Sequence, residues 1–236
     1  MAQLILPDSR LEMPELLHPG RKPVGNVEVD WSHPLSRGLI HAFLANPDRK
    51  ELLSGERLTD VSNPENVIQD GKQGIYFDGI SDELRGTLPE AFGTSDDYTW
   101  LLILNTEAMA EDYDYVASIG TYKPGIFVAH TTVSGRWGVY TTTAFGSGVT
   151  LSANTEYTLT VRRKNGTIEY FTDGVKAPNS VSNSSAGTAA VQYGAAAAGN
   201  FQAESTLYTS YIFKRALGDA EIRSLSLNPY QFLVPA

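Results

Sequence analysis

From residue 36 onward the apolar positions fall in short runs separated by Gly, Asp and Asn, a pattern of strands and turns. Residues 38–44 and 74–77 are compact apolar segments, and Asp78-Gly79 marks a turn directly after the second. Residues 98–104 are apolar on both alternating faces, which predicts a central strand covered on two sides. Residues 115–119, 125–130 and 137–141 are further strand candidates. The clearest element spans 157–172. Tyr157, Leu159 and Val161 alternate with Thr158, Thr160 and Arg162, then Asn165-Gly166 intervenes before a second run. Asn-Gly between two such runs predicts a type I′ hairpin, because both residues tolerate positive φ. Asp173-Gly174 closes the second strand with another turn.

Residues 179–204 are rich in Ser, Asn, Ala and Gly and read as loop around a short strand at 191–193. The run Ala195–Ala198 has helix propensity, but Gly194 and Gly199 bracket it too closely for a stable helix. A strand over 206–213 follows, then a helix over 219–227 that places Glu221 in its first turn and ends at Asn228-Pro229. Residues 1–35 differ from all of this. Pro7, Pro14, Pro19, Pro23 and Pro34 exclude a helix or central strand, while Leu4, Ile5, Leu6, Leu16 and Leu17 form apolar points along an extended arm. The pattern predicts an all-β fold: a two-sheet antiparallel β-sandwich over 36–236, with an N-terminal arm over 1–35 and one short C-terminal helix.

Composition narrows the chemistry. The 236 residues suffice for one or two domains without staples. The chain has no cysteine, which removes disulfides, thiol nucleophiles and zinc–cysteine sites. A formal net charge of −9 repels phosphate backbones, so no nucleic-acid partner is expected. The acids concentrate before residue 130, and the stretch 131–218 is mildly basic, as a solvated face would be. The N-terminus lacks the basic region of a signal peptide, and the longest apolar run, 100–104, is too short to span a bilayer, so no membrane partner is expected either.

Four segments together resemble the concanavalin A-like lectin/glucanase superfamily, in the LamG-like jelly-roll branch found in bacteriophage virion proteins. They are Val29-Asp-Trp-Ser-His-Pro-Leu-Ser-Arg-Gly-Leu-Ile40, Ile75-Tyr-Phe-Asp-Gly79 with Asp82, Phe171-Thr-Asp-Gly-Val175, and Ala216-Leu-Gly-Asp-Ala-Glu-Ile222 with Leu225 and Asn228-Pro-Tyr-Gln-Phe232. The resemblance spans roughly residues 29–232. It departs from the family at Gly218, where a serine is usual, and so forgoes a side-chain N-cap bond worth a few tenths of a kcal/mol, about 0.3.

Glucanases of the superfamily carry paired carboxylates on one strand, where alternate residues share a face. Glu28-Val29-Asp30 supplies half of that pattern, but no Glu completes it. Gly146-Ser147-Gly148 lacks the serine-hydrolase elbow, and His18, His33, His41 and His130 lack metal-ligand spacing. No enzyme activity and no required cofactor are therefore expected. LamG-like members sometimes bind calcium at sandwich loops, which makes Asp78, Ser81, Asp82 and Glu83 candidate ligands, with Glu111, Asp112 and Asp114 as a second cluster. A glycan would need aromatic platforms near turns, and Tyr122, Trp137, Tyr140 and Phe145 are the candidates. Two functions stay open. One is a bacteriophage virion structural protein, assembled in the bacterial cytoplasm as a multicopy capsid decoration or cement protein whose arm clamps the major capsid protein. The other is a lectin-like adhesin on the virion or tail that recognises host-surface glycan.

Overall fold

The computed structural model describes residues 22–23, 25–107, 114–120, 124–129, 133, 136–141, 143–183, 186–195 and 203–236. Two antiparallel sheets face each other. The eight-stranded sheet runs β14 (Val175–Ser182), β13 (Thr167–Thr172), β12 (Thr155–Lys164), β7 (Tyr98–Thr106), β16 (Glu204–Phe213), β5 (Lys72–Asp78) and β4 (Glu65–Gln69), and β2 (Leu39–Phe43) also pairs with β16. The seven-stranded sheet runs β11 (Ala144–Gly146), β10 (Gly138–Tyr140), β9 (Gly125–Ala129), β8 (Asp114–Ile119), β15 (Ala190–Tyr193), β6 (Glu83–Thr87) and β3 (Thr59–Val61). A two-stranded ribbon joins β1 (Val27–Val29) to β17 (Leu233–Pro235), and helix α1 covers Asp219–Leu227. The fold is a β-sandwich with one C-terminal helix.

The doubly apolar β7 lies where its pattern requires, with all nine residues buried. Trp100, Leu102 and Leu104 point into the core between the sheets, beside Ile75, Val116 and Ile126. Leu101 and Ile103 point the other way, into a second core closed by Ile222 and Leu225 of α1 and by Tyr230 and Phe232 beyond it. The helix starts at Gly218 without a side-chain cap, and Glu221 accepts a 2.7 Å bond from the Gly218 amide instead. Arg215 holds that carboxylate with two further bonds of 3.0 and 2.8 Å.

Asn165 and Gly166 both have positive φ, 50° and 75°, and join Lys164 to Thr167 as a two-residue turn. Asp173-Gly174 makes the same turn into β14, a strand that falls partly in the segment read as loop. That reading failed because β14 is an edge strand. Only Ala177 along it is buried, and edges admit Pro178, so it carries no alternation to detect.

The body begins before residue 36. Val27, Val29 and Leu35 are buried in the second core, and Val27, Glu28 and Val29 pair with Pro235, Val234 and Leu233. Within the stretch read as an extended arm, residues 25–35 thus lie along the body itself, where Val27, Val29 and Leu35 cover the outer face of the eight-stranded sheet. The arm residues Leu4, Ile5, Leu6, Leu16 and Leu17 lie outside the described residues.

Lys22 fixes the point of entry. Its buried Nζ donates to Gln73 O at 2.7 Å and to Ala45 O at 3.2 Å. Burial lowers its pKa from 10.5 to about 7. The unfolded chain holds this proton up to 10.5 and the folded one releases it near 7, so folding releases a proton in that window and stability rises with pH across it. The slope should reach about 1.4 kcal/mol per pH unit, and a Lys22→Met chain should lose it. Urea midpoints taken across the window check this; equal slopes in both chains would refute it.

Candidate functional site

The glycan candidates divide between two faces of one sheet. In the β10–β11 pair Tyr140 stands opposite Ala144 and Val139 opposite Phe145. Side chains alternate along a strand, so Tyr140 and Phe145 point to opposite sides and cannot form one platform. Tyr140 lies on the outer face against Tyr115, ring centroids 6.0 Å apart and edge-on at 73°. Phe145 lies on the inner face, half-buried against the main core. Trp137 is fully buried and presents no face to a ligand. Tyr122 lies outside the described residues.

Trp137 acts instead as the wall behind Phe145. Its indole meets Tyr170 edge-on at 5.6 Å and 85°, and its Nε1 donates to Thr172 Oγ1 at 3.0 Å. Tyr170 in turn donates its hydroxyl to the Phe145 carbonyl at 3.1 Å. Burial pushes the Tyr170 phenol well above its ordinary pKa, so it stays protonated and keeps donating. A Cβ built on Gly138 would lie 2.0 Å from that same carbonyl, so only glycine lets β10 come this close to β11.

Phe145 looks into a hollow of about 440 Å³ where the open edges of the two sheets meet. Gly146 of β11 lines it from one sheet, and Tyr170 of β13 with Pro178, Asn179, Ser180 and Val181 of β14 line it from the other. Asn179 is held in place twice. Its amide N–H donates to Ser147 O at 3.1 Å and its Nδ2 to Gly146 O at 3.0 Å. The hollow thus combines an aromatic ring with an oriented amide on paired strands, a set suited to a ligand with apolar faces ringed by hydroxyls. Sequence reasoning found Phe145 but missed Asn179, which lies more than thirty residues away on a strand it did not predict.

The carboxylates proposed for calcium do not converge. Asp78 Oδ1 accepts from the amides of Ile80, Ser81 and Asp82 at 2.8, 2.9 and 3.1 Å, the geometry of a capped turn. Partial burial opposes ionisation there, yet those amides hold the Asp78 carboxyl below its ordinary pKa. Asp82 bonds back to the Asp78 amide at 3.3 Å, and burial, followed by the charge of Asp78, raises its pKa. Glu83 turns away to pair with Arg85. Of the second cluster only Asp114 is described. Among the described residues no three carboxylate or imidazole groups are placed to hold one metal ion.

A second hollow, of about 450 Å³, lies on the opposite edge, between β2 and the end of β6. His41 and Glu51 line it, and no motif in the sequence marked them.

No family model matches the chain, and no curated protein matches it. Solved structures do. A Trypanosoma rangeli sialidase in complex with the inhibitor DANA superposes with a TM-score of 0.61 at 12% identity over 82% of this chain, which spans 33% of the sialidase's length. Domain 4 of AbnA, a GH43 extracellular arabinanase from Geobacillus stearothermophilus, was solved in complex with arabinotriose. It gives a TM-score of 0.61 at 13% identity, covering 80% of this chain and 98% of that domain. The binding domain of Paraclostridial Mosquitocidal Protein 1 gives 0.56 at 14% identity, covering 81% of this chain and 52% of the other. At these identities the likeness is one of fold.

Proposed function

We propose that this protein is a carbohydrate-binding module of lectin type that holds a glycan in the hollow at Phe145. The observation that carries this reading is the hollow itself: a half-exposed phenyl ring backed by Tyr170 and Trp137, with the amide of Asn179 beside it. A sugar ring stacks on the phenyl face while its hydroxyls meet the Asn179 amide. The described residues lining the hollow include no carboxylate, whereas most glycoside hydrolases use a pair, so the reading is one of binding. The arabinotriose in a domain of this fold supports the choice of ligand class.

A glycan array probed with the full chain should show saturable binding. Phe145→Ala should weaken it about tenfold, the equivalent of about 1.4 kcal/mol. Absence of any glycan binding at millimolar concentration, or binding indifferent to both Phe145→Ala and Asn179→Ala, would remove the reading.

A second reading, a virion structural protein of the capsid-decoration kind, rests on the resemblance of the four sequence segments. One structural observation favours a protein partner near the N-terminal end: Trp31, in the turn after β1, is 62% exposed. Lys22 and β1 bind the chain to the body from residue 22 onward, so the clamp on a neighbouring subunit falls to residues 1–21 with Leu4, Ile5, Leu6, Leu16 and Leu17. Burying one such side chain contributes about 1.5–3 kcal/mol, enough in number to hold a subunit on a lattice. Deleting residues 2–21 should leave a folded sandwich that no longer joins particles; unchanged incorporation would exclude this reading.

A further inference from the structure

The two facing sheets end at β3 and β11, and at β14 and β4. Three of these edges are protected. β3 and β11 are three-residue strands, and β3 carries the Asp60 that pairs with Arg49 and Arg57. β14 carries Lys176 and Pro178, and its Asn179 amide already donates to Ser147 O at 3.1 Å. Short length, charge, lysine and proline are the devices that keep an edge from recruiting another strand. β4 is different. Its five residues, Glu65-Asn66-Val67-Ile68-Gln69, contain no proline, lysine or bulge, and they pair with β5 on one side only. Ile68 stands on this edge 75% exposed.

The turn at Asp70-Gly71 decides which backbone groups of β4 face outward. Both residues have positive φ, 51° and 75°, and they join Gln69 to Lys72 as a two-residue turn. The pair closing such a turn exchanges hydrogen bonds, and bonded and unbonded pairs then alternate along the ladder. Gln69, Val67 and Glu65 therefore bond inward to β5, while Asn66 and Ile68 turn their N–H and C=O groups outward. Among the described residues no other backbone group bonds either of them. Their side chains are exposed as well. The edge thus presents a donor and an acceptor at each of two alternate residues, the spacing that an antiparallel strand requires.

We propose that β4 pairs with β4 of a second copy of this chain, antiparallel about Val67, so that the eight-stranded sheets of two molecules run on as one. In that register Asn66 stands opposite Ile68 of the other copy, twice over, and each such pair exchanges both its hydrogen bonds. Every outward group of Asn66 and Ile68 is then used. Val67 meets Val67 across the two-fold axis, and the two Ile68 side chains become diagonal neighbours on the other face. Glu65 meets the neutral Gln69, so no like charges stand directly opposite. A one-residue shift would set Asn66 against Val67, whose backbone groups β5 already holds. The pairing uses the edge of both copies and closes at two. Five residues make a small interface and each copy carries a net charge of −9, so the dimer is weak, with a Kd on the order of 0.1 mM. β14 and β4 are opposite ends of one sheet, so the dimer carries its two Phe145 hollows at its far ends, where they can engage two sugars of one surface. That consequence rests on the glycan reading; the pairing itself does not.

Sedimentation velocity of the full chain from about 0.01 to about 1 mM should show a monomer–dimer equilibrium and no larger species. Ile68→Lys puts a charge on the exposed edge, and Asn66→Pro removes an outward N–H without touching the bonds to β5. Each should weaken the dimer at least about tenfold while the dilute chain stays folded. Phe145→Ala should leave the dimer intact, so a failure of pairing and a failure of glycan binding are separate results. Hydrogen exchange locates the contact. The amides of Asn66 and Ile68 should exchange freely in dilute solution and become protected at high concentration, while those of Val67 and Gln69 are protected throughout. A chain still monomeric at about 1 mM, association that both variants leave unchanged, or growth beyond two copies would overturn the proposal. So would protection of the Asn66 and Ile68 amides at every concentration, which would show β4 covered by another part of its own chain.

Discussion

Trp137→Ala is expected to destabilise the fold by about 3–5 kcal/mol, the cost of removing a large buried aromatic side chain. The indole is fully buried and serves three neighbours together. It packs edge-on against Tyr170, bonds Thr172 of β13 and lies in the core between the sheets. Removing it leaves a cavity at the edge where β10 and β11 meet β13, and the Thr172 hydroxyl loses its donor. Urea denaturation should show a lowered midpoint with an unchanged slope, as for lost stability without a change in the surface exposed. If Trp137 were a surface platform, the midpoint would barely move. Glycan affinity should also fall, because Tyr170 would no longer be held behind Phe145. Trp137→Phe, which keeps most of the packing, should restore much of the stability.

Arg162→Ala is expected to cost a comparable amount, about 3–5 kcal/mol, as for breaking a buried ion pair on one side. The guanidinium is 3% exposed and joins three parts of the fold. Its Nε donates to Glu169 of β13 at 2.7 Å, and Nη1 donates to Leu217 O at 2.6 Å and to Asp219 Oδ1 at 2.7 Å, at the start of α1. The cation also sits 4.8 Å from the centroid of the Phe171 ring. The Asp219 bond contributes little, because that carboxylate is mostly exposed. The loss lies at Glu169 and at the Leu217 carbonyl, which would be left without their buried donor. Partial burial raises the Glu169 pKa, but bonds to Lys176 and Arg162 outweigh it and hold the carboxyl below its ordinary 4.5. Its depressed value makes the stabilisation complete above the unfolded pKa and lost as pH falls through the folded one. The penalty of Arg162→Ala should accordingly shrink in acid below 4.5. A penalty independent of pH would show that the helix contact, and not the ion pair, carries the effect.

The elements legible in the sequence are those whose burial is one-sided or complete over a long run. β7 is apolar over its middle, β16 is buried nearly throughout and ends in an apolar run, and the β12–β13 hairpin announces itself through alternation and Asn165-Gly166. Helix α1 has the observed bounds because the loss of strand period and Asn228-Pro229 delimit it. The short and edge strands left no such mark. β4 exposes Ile68, β14 buries only Ala177, and β1 lies among prolines, where only its pairing with β17 makes it a strand. The site was less legible still, because it is made by distant residues: Phe145 needs Asn179 of β14. The acidic cluster at Asp78 is ambiguous in sequence for a physical reason: carboxylates that cap a turn and carboxylates that ligate calcium are the same residue types at similar spacings. Only the direction of the neighbouring amides separates them.

The ribbon of β1 and β17 has a mechanical consequence. Asn26 O accepts from the amide of Ala236, so the entering and leaving chains stand side by side at one end of the ladder. Tension applied through the two ends loads those hydrogen bonds one after another, as in opening a zipper, instead of shearing them together. The ribbon should peel at low force while the strands under it bear almost no load.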